Sequence, residues 1–244
     1  MKVHLRGALR GSEAKRLILG RLRKGPASGT ELAEVLGVSR VAVWKHVKEL
    51  NSLGYSIVPT GRGYRLVGEA EMPYPWELDV EAIYLHSVPS TMEVATHLAG
   101  RGILGTFVIA GEQTAGRGRL GRGWLSMPGG LYFSVALSPG LSMDELRDFR
   151  LGIIESLASA ISSFGVDVEA SGDGLFTPRG KLAGVLVEGF GEPELVRFAV
   201  VGVGVNVNNP VPEGGTSLSL ELGRRVSLLR VAKAVIEGVD YDTR

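Results

Sequence analysis

The 244-residue chain contains no cysteine. Disulfide bonds, thiolate metal sites and catalysis by a thiol are therefore excluded, and such a composition is typical of an intracellular protein. Aromatic residues are scarce at 7% of the sequence, but apolar residues make up 44% and charged residues 22%. These fractions are those of a globular chain with enough apolar side chains for one large core or two smaller ones.

The sequence also has little that could direct it to a membrane. Its first sixteen residues contain several basic side chains but no apolar signal-peptide core. One uncharged run of membrane length, Gly123 to Met143, contains Pro128, Pro139 and four glycines. A spanning helix does not tolerate this many breakers, so we expect a buried strand between turns and a cytoplasmic protein without membrane contact.

Acidic residues are scarce in the first part of the chain. Residues 1–68 carry 13 Lys and Arg against 4 Asp and Glu, whereas residues 69–244 carry 14 against 22, and the whole chain has a net charge of +1. Such a division predicts a nucleic-acid-binding head joined to an acidic body.

The basic head has the pattern of a winged helix-turn-helix module. A first helix is predicted over residues 12–23, and a second helix begins at the capping pair Ser28 and Glu31. Gly37 provides the turn before a third helix, whose N-cap is Ser39. The three helices should bury apolar side chains at helical spacing, namely Ile18, Leu19, Leu22, Leu32, Val35, Leu36, Val43, Val47, Leu50 and Leu53.

The third helix is interpreted as the recognition helix of this module. Residues 55–58 and 64–67 alternate around a turn at residues 60–63, which predicts a hairpin wing tipped by Arg62. Exposed side chains of the third helix and the wing are then candidates for DNA contacts, namely Arg40, Trp44, Lys45, Lys48 and Arg62. The alternative is a protein-interaction module whose basic surface is merely solvated. Pattern and charge together favour DNA binding.

An anion-binding loop is predicted at Gly111 to Trp124, which reads GEQTAGRGRLGRGW. It follows an apolar strand predicted at residues 106–110 and places three arginines among five glycines. Glycine permits positive φ and close approach of the backbone to a ligand, and guanidinium forks suit carboxylate and phosphate. We expect positive φ and close approach at Gly116, Gly118, Gly121 and Gly123. We expect carboxylate or phosphate binding at Arg117, Arg119 and Arg122. A flexible, solvated basic loop is the alternative.

Lysine is almost absent from the body, where Lys181 is the only lysine between Lys48 and Lys233. It opens an apolar strand, from which an ammonium group could project into a site and bind a carboxylate or phosphate. An ordinary charge at the end of a strand is the alternative.

The run EQTAGRGRLGR at residues 112–122 resembles the biotin-binding loop of biotin-protein ligases, enzymes that join biotin to a carrier lysine through biotinyl-AMP. Further matches occur in the order of that family, which includes biotin operon repressors. They are PST at residues 89–91, GKLAGVLVEG at 180–189, VGVGVNVNN at 201–209 and TSL at 216–218. An eleven-residue run is far more specific than a lone glycine pattern, and the matches together cover most of residues 80–235.

These observations predict an α+β fold of two domains. A winged helix-turn-helix domain is expected over residues 1–68, a linker over 69–79, and a biotin/lipoate-ligase-like mixed sheet flanked by helices over 80–244. In this last domain, helices are predicted at residues 94–98, 143–164 and 228–238. Strands are predicted at residues 106–110, 131–137, 182–188 and 196–207, the last two pairing antiparallel.

The resemblance implies roles for residues of the second domain. The ureido end of biotin would lie in a pocket formed by Ser90, Thr91, Gln113, Gly116 and Gly184. Its carboxylate and the phosphate would be held by Arg117 and by the catalytic pair Arg119 and Lys181. The nucleotide would lie against Arg122, Trp124, Asp173, Asn206 and Asn208, and no metal site made of side chains is expected.

The implied reaction is ATP-dependent biotin-[biotin carboxyl carrier protein] ligation. Biotin and ATP, with Mg²⁺, would form biotinyl-AMP, and biotin would then pass to a lysine of the carrier. In a bifunctional ligase and repressor, biotinyl-AMP would also favour a homodimer that binds a palindromic operator.

Three departures from the family pattern concern nucleotide handling more than biotin binding. The KWPND motif that engages ATP phosphates and metal is replaced by EASGD at residues 169–173, and PSTN becomes PSTM with Met92. The small β-barrel that follows the catalytic domain in many ligases is also expected to be absent. These departures leave open a regulator that binds biotin or biotinyl-AMP and DNA but has little or no ligase activity.

Overall fold

Residues 8–237 are described by the computed structural model, which divides the chain into two compact units. The smaller unit spans Gly11–Met72, and the larger unit combines residues 8–10 with the chain from Pro73 onward. Residues 1–7 of the predicted head domain lie outside the described residues. So do residues 238–244 of the predicted ligase-like domain, including the end of its last predicted helix.

The smaller unit contains three helices that are capped as the sequence predicts. The short strand β1 (Leu9–Arg10) precedes the helices α1 (Glu13–Arg23), α2 (Gly29–Leu36) and α3 (Arg40–Ser52). At each N-terminus a serine hydroxyl accepts a hydrogen bond from the backbone N–H three residues later, and the caps are Ser12, Ser28 and Ser39. Gly37 ends α2 with a left-handed φ of 63°.

The core of this unit follows the predicted helical faces with one exception. The buried side chains of the helices are Ile18, Leu19, Leu22, Leu32, Val43, Val47 and Leu50, while Leu36 and Leu53 are half-buried. The prediction for Val35 is wrong, since this side chain is 49% exposed. The helix α2 has only eight residues, and Leu32 is its one buried side chain.

A β-hairpin completes the unit as the predicted wing. Strand β2 (Ser56–Thr60) pairs antiparallel with β3 (Gly63–Gly68). Tyr64 exchanges two backbone hydrogen bonds with Ala27, at 2.8 and 3.0 Å, so the wing is attached to the connection between α1 and α2. Gly63, with φ of 148°, packs directly against the backbone of Ala27 and Ser28.

The larger unit is built on an eight-stranded mixed sheet. Besides β1, its strands are β4 (Ala82–Val88), β5 (Phe107–Gln113), β6 (Leu131–Leu137), β7 (Glu169–Ser171), β8 (Gly174–Thr177), β9 (Gly180–Glu192) and β10 (Leu195–Val205). Their spatial order is β1-β4-β5-β6-β10-β9-β8-β7. Strands β4 and β5 run parallel, and the other neighbouring strands run antiparallel.

Helices cover this sheet and add to its core. They are α4 (Thr91–Ala99), α5 (Leu146–Ser162), α6 (Leu218–Leu222) and α7 (Leu228–Ala232), the last continuing as a π-helical turn over Lys233–Glu237. Val94, Ala95 and Leu98 of α4 pack against apolar side chains of β4, β5, β6 and β10. Helix α5 packs against β7, β8 and β9. Within residues 8–237, no helix is both long and apolar enough to cross a membrane.

The α+β fold class is confirmed, and β6 has the predicted bounds. Strands β9 and β10 pair antiparallel, as predicted, from Ala183 opposite Val205 to Glu192 opposite Leu195. Strands β1, β4, β7 and β8 were not predicted. Strand β4 is buried along most of its length and shows no alternation, and the other three have only two to four residues.

The predicted linker over residues 69–79 is shorter in the structure. Tyr74, Trp76 and Leu78 are buried, and Pro75–Glu77 forms a 3₁₀ turn. The rings of Tyr74 and Trp76 stack with centroids 5.0 Å apart. The prolines suggest a linker, but the aromatic side chains between them anchor the segment in the larger unit. The prediction is therefore wrong for residues 73–78.

Replacing Gly63 by alanine should destabilise the smaller unit by about 1–3 kcal/mol. Alanine at position 63 would be held at a strained positive φ, and its Cβ would overlap the carbonyl oxygen of Ala27. Gly61→Ala, in the same turn, is the matched control, since a Cβ there meets nothing within 4 Å. Amide exchange of α1 to α3 at increasing urea concentrations measures the free energy of unfolding of both variants. Equal values for Gly63→Ala and Gly61→Ala would contradict the contact at Gly63.

Candidate active site

The loop rich in glycine and arginine folds back over the sheet near the start of α4. Its Trp124 indole lies on Gly184 of β9 and Gly204 of β10, which are opposite each other in the β-ladder. A Cβ at position 204 would lie 2.5 Å from Trp124 Nε1, and a Cβ at position 184 would lie 3.0 Å from its Cζ3. Two adjacent positions without side chains thus admit the indole, which lines a cavity together with α4, β6, β9 and β10.

One part of the cavity is polar and uncharged. Gln113 Oε1 accepts hydrogen bonds from the backbone N–H of Thr91 at 2.8 Å and from its hydroxyl at 3.1 Å. Gln113 Nε2 donates to Ser126 Oγ at 2.8 Å, and Ser134 Oγ lies 2.7 Å from Thr91 Oγ1. Ser90 Oγ is buried without a hydrogen-bond partner among residues 8–237. Because a buried unpaired group costs about 1–3 kcal/mol, this region is suited to a ligand with several polar groups.

Another part of the cavity wall is charged. Lys181 Nζ donates to Asp173 Oδ1 at 2.8 Å, and the two side chains are 27% and 16% exposed. The same ammonium lies 5.6 Å from the centroid of the Trp124 ring. Burial raises the pKa of the Asp173 carboxyl, but the hydrogen bond and charge of Lys181, with the charges of Arg119 and Arg122, outweigh burial and hold that pKa below its usual value. The ion pair therefore fixes the ammonium beside the loop.

A second cavity adjoins the first and shares this charged wall. Both cavities are lined by Gly118, Arg119, Trp124, Asp173 and Lys181. The second, with a volume of about 400 Å³, adds Arg122, Asn206 and residues 212–215. This volume lies within the usual range for small-molecule sites, about 300–1,000 Å³. The first cavity is much smaller, about 40 Å³, and it adjoins the second at the shared wall.

The structure brings together most of the residues that the sequence and the resemblance indicate. Those lining the two cavities are Ser90, Thr91, Gln113, Arg117, Arg119, Arg122, Trp124, Asp173, Lys181, Gly184 and Asn206. Gly116 lies behind the lining, where a Cβ would overlap the carbonyl oxygen of Trp124. Asn208 lies outside both cavities. Its side-chain amide exchanges hydrogen bonds of 2.8 and 2.9 Å with the backbone of Val226, so the structure gives it a structural role and not the predicted nucleotide contact.

The loop differs from its prediction in three respects. Among its glycines at 116, 118, 121 and 123, only Gly121 adopts a positive φ, of 71°. Leu120 also has a positive φ, of 56°, which costs a residue with a Cβ about 1–2 kcal/mol, and it is 88% exposed. Arg117 forms an ion pair with Glu188 at 3.0 Å, so its guanidinium is not reserved for a ligand.

The substitutions in the two altered family motifs occupy different places. Glu169 is exposed on β7 and lines neither cavity, whereas Asp173, four residues later, lines both. Met92 packs on Gly202, where a Cβ would lie 2.7 Å from the methionine sulfur. Glu169 therefore does not line either cavity, and Met92 fills space next to the polar cluster.

Three residues of the site were missed by the sequence analysis. Ser126 and Ser134 complete the hydrogen bonds of Gln113 and Thr91. A signal for Ser134 was available, since it is the one polar side chain besides Tyr132 in the buried strand LYFSVAL. Gly204 alternates with valine in VGVGV, and a glycine inside a strand often marks a close approach.

The candidate DNA-binding residues lie on α3 and the wing of the smaller unit. Arg40, Trp44 and Arg62 line a groove with residues 59–64. Lys45 and Lys48 are exposed on α3 but do not line this groove, and Lys48 Nζ lies 5.4 Å from the Trp44 ring centroid. The surface thus combines exposed cations with an exposed aromatic ring.

The part of the chain at residues 8–237 contains no group of three or more His, Cys, Asp or Glu side chains that could hold a metal ion. Asp173, which lines both cavities, already accepts a hydrogen bond from Lys181. These residues do not fit a magnesium site held by protein side chains.

Comparison with known families identifies two matches. Residues 15–65 match a family described as HTH domain, and residues 85–206 match the biotin/lipoate A/B protein ligase family. The second match spans half of the chain.

Individual proteins are similar to each part of the chain. The bifunctional ligase/repressor BirA of Bacillus subtilis (strain 168) is 32% identical over 232 residues, covering 86% of this chain and 71% of that protein. The probable transcription repressor NiaR of Thermotoga maritima is 53% identical over 45 residues, covering 18% of this chain and 26% of that protein. The structure of biotin protein ligase from Aquifex aeolicus in complex with biotin and ATP is 32% identical, with a TM-score of 0.53 over 65% of this chain and 69% of that one.

Replacing Lys181 by methionine should raise the pKa of Asp173, because the hydrogen bond and the positive charge that favour the carboxylate would be lost. The ion pair stabilises the fold above the ordinary aspartate pKa of about 4, and this contribution is lost as the pH falls through the lowered pKa of the folded protein. Carboxyl ¹³C NMR titration measures the pKa, with Lys233→Met as the control. The same Asp173 pKa in the parent chain and in Lys181→Met would contradict the pairing.

Proposed function

The chain belongs to the biotin/lipoate A/B protein ligase family and is similar to its bifunctional ligase/repressors, and from this premise we propose that it is both a biotin-protein ligase and a biotin-responsive repressor. It forms biotinyl-AMP from biotin and ATP and transfers biotin to a lysine of biotin carboxyl carrier protein. The observation that carries this proposal is the junction of a neutral polar cluster and a cationic wall in one cavity.

The two kinds of surface suit the two ends of biotin. The ureido ring is neutral and rich in hydrogen-bonding groups, and it binds Ser90, Thr91 and Gln113. Ser90 contributes a hydroxyl that has no partner among the described residues. Gly116 and Gly184 support this pocket by leaving room for Trp124, and the biotin carboxylate extends toward Arg117, Arg119 and Lys181.

The second cavity receives the nucleotide. Arg122, Asn206 and Trp124 line it, and Asp173 lies on the wall that it shares with the first cavity. An adenylate placed here has its α-phosphate at the shared wall, beside Arg119 and Lys181. Both reacting groups therefore meet at the same two cations.

The first step of the proposed reaction joins two anions. A carboxylate oxygen of biotin attacks the α-phosphorus of ATP, the bond from that phosphorus to the bridging oxygen breaks, and pyrophosphate leaves. Arg119 and Lys181 reduce the repulsion between the two anions and stabilise the charge on the α-phosphate oxygens. The step requires no proton transfer, so position and charge supply the catalysis.

The second step releases the nucleotide. The unprotonated amine of the carrier lysine attacks the carbonyl carbon of the mixed anhydride, an amide bond forms, AMP leaves and the nitrogen loses a proton. Mg²⁺ would enter as the ion bound to the ATP phosphates. The use of ATP, carrier protein and operator DNA assigns the proposed activity to the cytoplasm.

The smaller unit binds operator DNA in this proposal. Helix α3 lies in the major groove with Arg40, Trp44, Lys45 and Lys48, and Arg62 of the wing contacts the minor groove or phosphate. Biotinyl-AMP is then both intermediate and signal, and favours a homodimer that matches two half-sites.

A second candidate function is a regulator that binds biotin or biotinyl-AMP and DNA without ligating. The observation that favours it is the replacement of KWPND by EASGD, which removes a cation and introduces Glu169. The two candidates differ in whether the cavity produces biotinyl-AMP.

Incubation of the purified chain with biotin, α-labelled ATP, Mg²⁺ and a carrier domain should yield labelled biotinyl-AMP and biotinylated carrier. Lys181→Ala should lower the rate of biotinyl-AMP formation by about a hundredfold or more, because it removes a cation from the developing charge. Lys233→Ala is the control and should keep the parent rate.

Biotin binding without either product would establish the regulator in place of the ligase. A parent rate in Lys181→Ala would remove Lys181 from the catalytic residues. Circular dichroism of each variant distinguishes both results from loss of the fold.

Arg40→Ala should weaken binding to random-sequence duplex DNA at low salt. If Arg40 contacts a phosphate, the slope of log affinity against log salt should fall by about 0.9. Lys24→Ala removes an exposed cation outside the groove and should leave the slope unchanged. Fluorescence anisotropy at several salt concentrations makes this measurement, and a parent chain that binds no DNA at low salt would refute the repressor half.

A further inference from the structure

A groove lined by three arginines opens beside the two cavities. Arg147 and Arg150, in the first two turns of α5, line it together with Arg119 of the loop. Leu186 lines both this groove and the first cavity, and Gly172 of the groove precedes Asp173 of the shared wall. The groove therefore adjoins the first cavity and shares Arg119 and Leu186 with it.

The three guanidinium groups have no carboxylate partner in the part of the chain that the structure describes. None of them forms an ion pair with a carboxylate of residues 8–237, and no acidic side chain lines the groove. Two neighbouring carboxylates are engaged elsewhere. Glu145 accepts two hydrogen bonds from Ser142, each of 2.8 Å, and Glu188 pairs with Arg117.

The arrangement is electrostatically costly without an anion. Burial lowers the pKa of the Arg150 guanidinium, and the positive charges of Arg119 and Arg147 lower this pKa further. The negative charge of Asp173 raises it, but by less than the other effects together lower it. Like charges that are gathered without a counter-ion repel one another, and a bound polyanion removes that repulsion. The groove thus has the properties of an anion site and not of an internal ion-pair network.

We propose that the groove formed by Arg119, Arg147 and Arg150 binds the β- and γ-phosphates of ATP and, after the first step, the pyrophosphate product. This inference rests on the proposed ligase reaction and adds residues of α5 to it. Arg119 lines the groove and both cavities, so a triphosphate whose α-phosphate lies at Arg119 and Lys181 can continue into the groove. Guanidinium forks bind phosphate oxygens in a bidentate manner.

The groove also accounts for the altered motif. Position 169 carries a glutamate where the resembling family has a lysine, and that glutamate is exposed away from the groove lining. Arg147 and Arg150 supply cations for the phosphates from a different element of the fold. The loss of one cation in sequence is then compensated by two from α5.

Calorimetric binding of inorganic pyrophosphate to the whole chain, in buffer containing Mg²⁺ but no biotin or ATP, tests the groove directly. Arg147→Gln and Arg150→Gln should each weaken the affinity about tenfold, since each removes a charge-assisted contact. Arg101→Gln removes an exposed arginine that lines none of the three sites and should bind as the parent does. A parent chain that does not bind pyrophosphate, or equal affinities in all variants, would overturn the proposal.

Steady-state formation of biotinyl-AMP gives the second measurement. The KM for ATP should rise about tenfold in each α5 variant, while the KM for biotin stays within about twofold of the parent value. A structural defect of α5 would change both values.

The two measurements separate this inference from the ligase proposal. A chain whose pyrophosphate affinity depends on Arg147 and Arg150 but which forms no biotinyl-AMP would refute the ligase and retain the groove as a polyphosphate site. A chain that forms biotinyl-AMP with an unchanged KM for ATP in both variants would refute the groove and retain the ligase.

Discussion

Trp124 can approach the backbone of β9 and β10 only because the two facing positions, Gly184 and Gly204, carry no side chain. The end of the loop is held there by a second close contact. The backbone N–H of Trp124 donates to the Gly116 carbonyl at 2.9 Å, and Gly116 leaves no room for a Cβ. Between these two points the chain carries Arg119 and Arg122 to the side of Lys181. The positions of the site's cations therefore depend on three glycines, Gly116, Gly184 and Gly204.

The charge of the site is opposite to that of the body around it. The chain beyond residue 68 has a net excess of acidic residues, yet only two carboxylates among residues 8–237 line the two cavities. Asp173 lines both and is paired with Lys181, and Glu213 lines the second. Cations that exceed their protein counter-ions remain available to a ligand. This arrangement suits a reaction between two anions, in which the protein contributes position and field and needs no general acid or base.

Much of the site could be predicted from sequence, because its residues lie in a few short segments, each with a recognisable pattern. The loop and Lys181 were indicated by residue type and position, and the start of α4 by the resemblance of PST at residues 89–91 to the family motif. Arg147 and Arg150 were not, since on a half-exposed helix they have the pattern of ordinary surface charges, and about thirty residues separate them from Arg119. Ser134 was missed because one hydroxyl in an apolar strand has a partner only after α4 packs on β6 and brings Thr91 to it.

The sequence by itself determined the two-part organisation, the capped helices of the head and the chemical character of the loop. Serine caps, strand alternation and glycine turns act between residues a few positions apart, so their outcome can be predicted without the fold. The tertiary structure decided what depends on distant segments. It buried Tyr74 and Trp76 of the expected linker, gave Asn208 a structural partner in Val226, and placed α5 beside the loop. Each of these contacts joins segments that are distant in the chain, such as Tyr74 with Tyr84 of β4 and Asn208 with Val226. No short stretch of residues encodes such a contact.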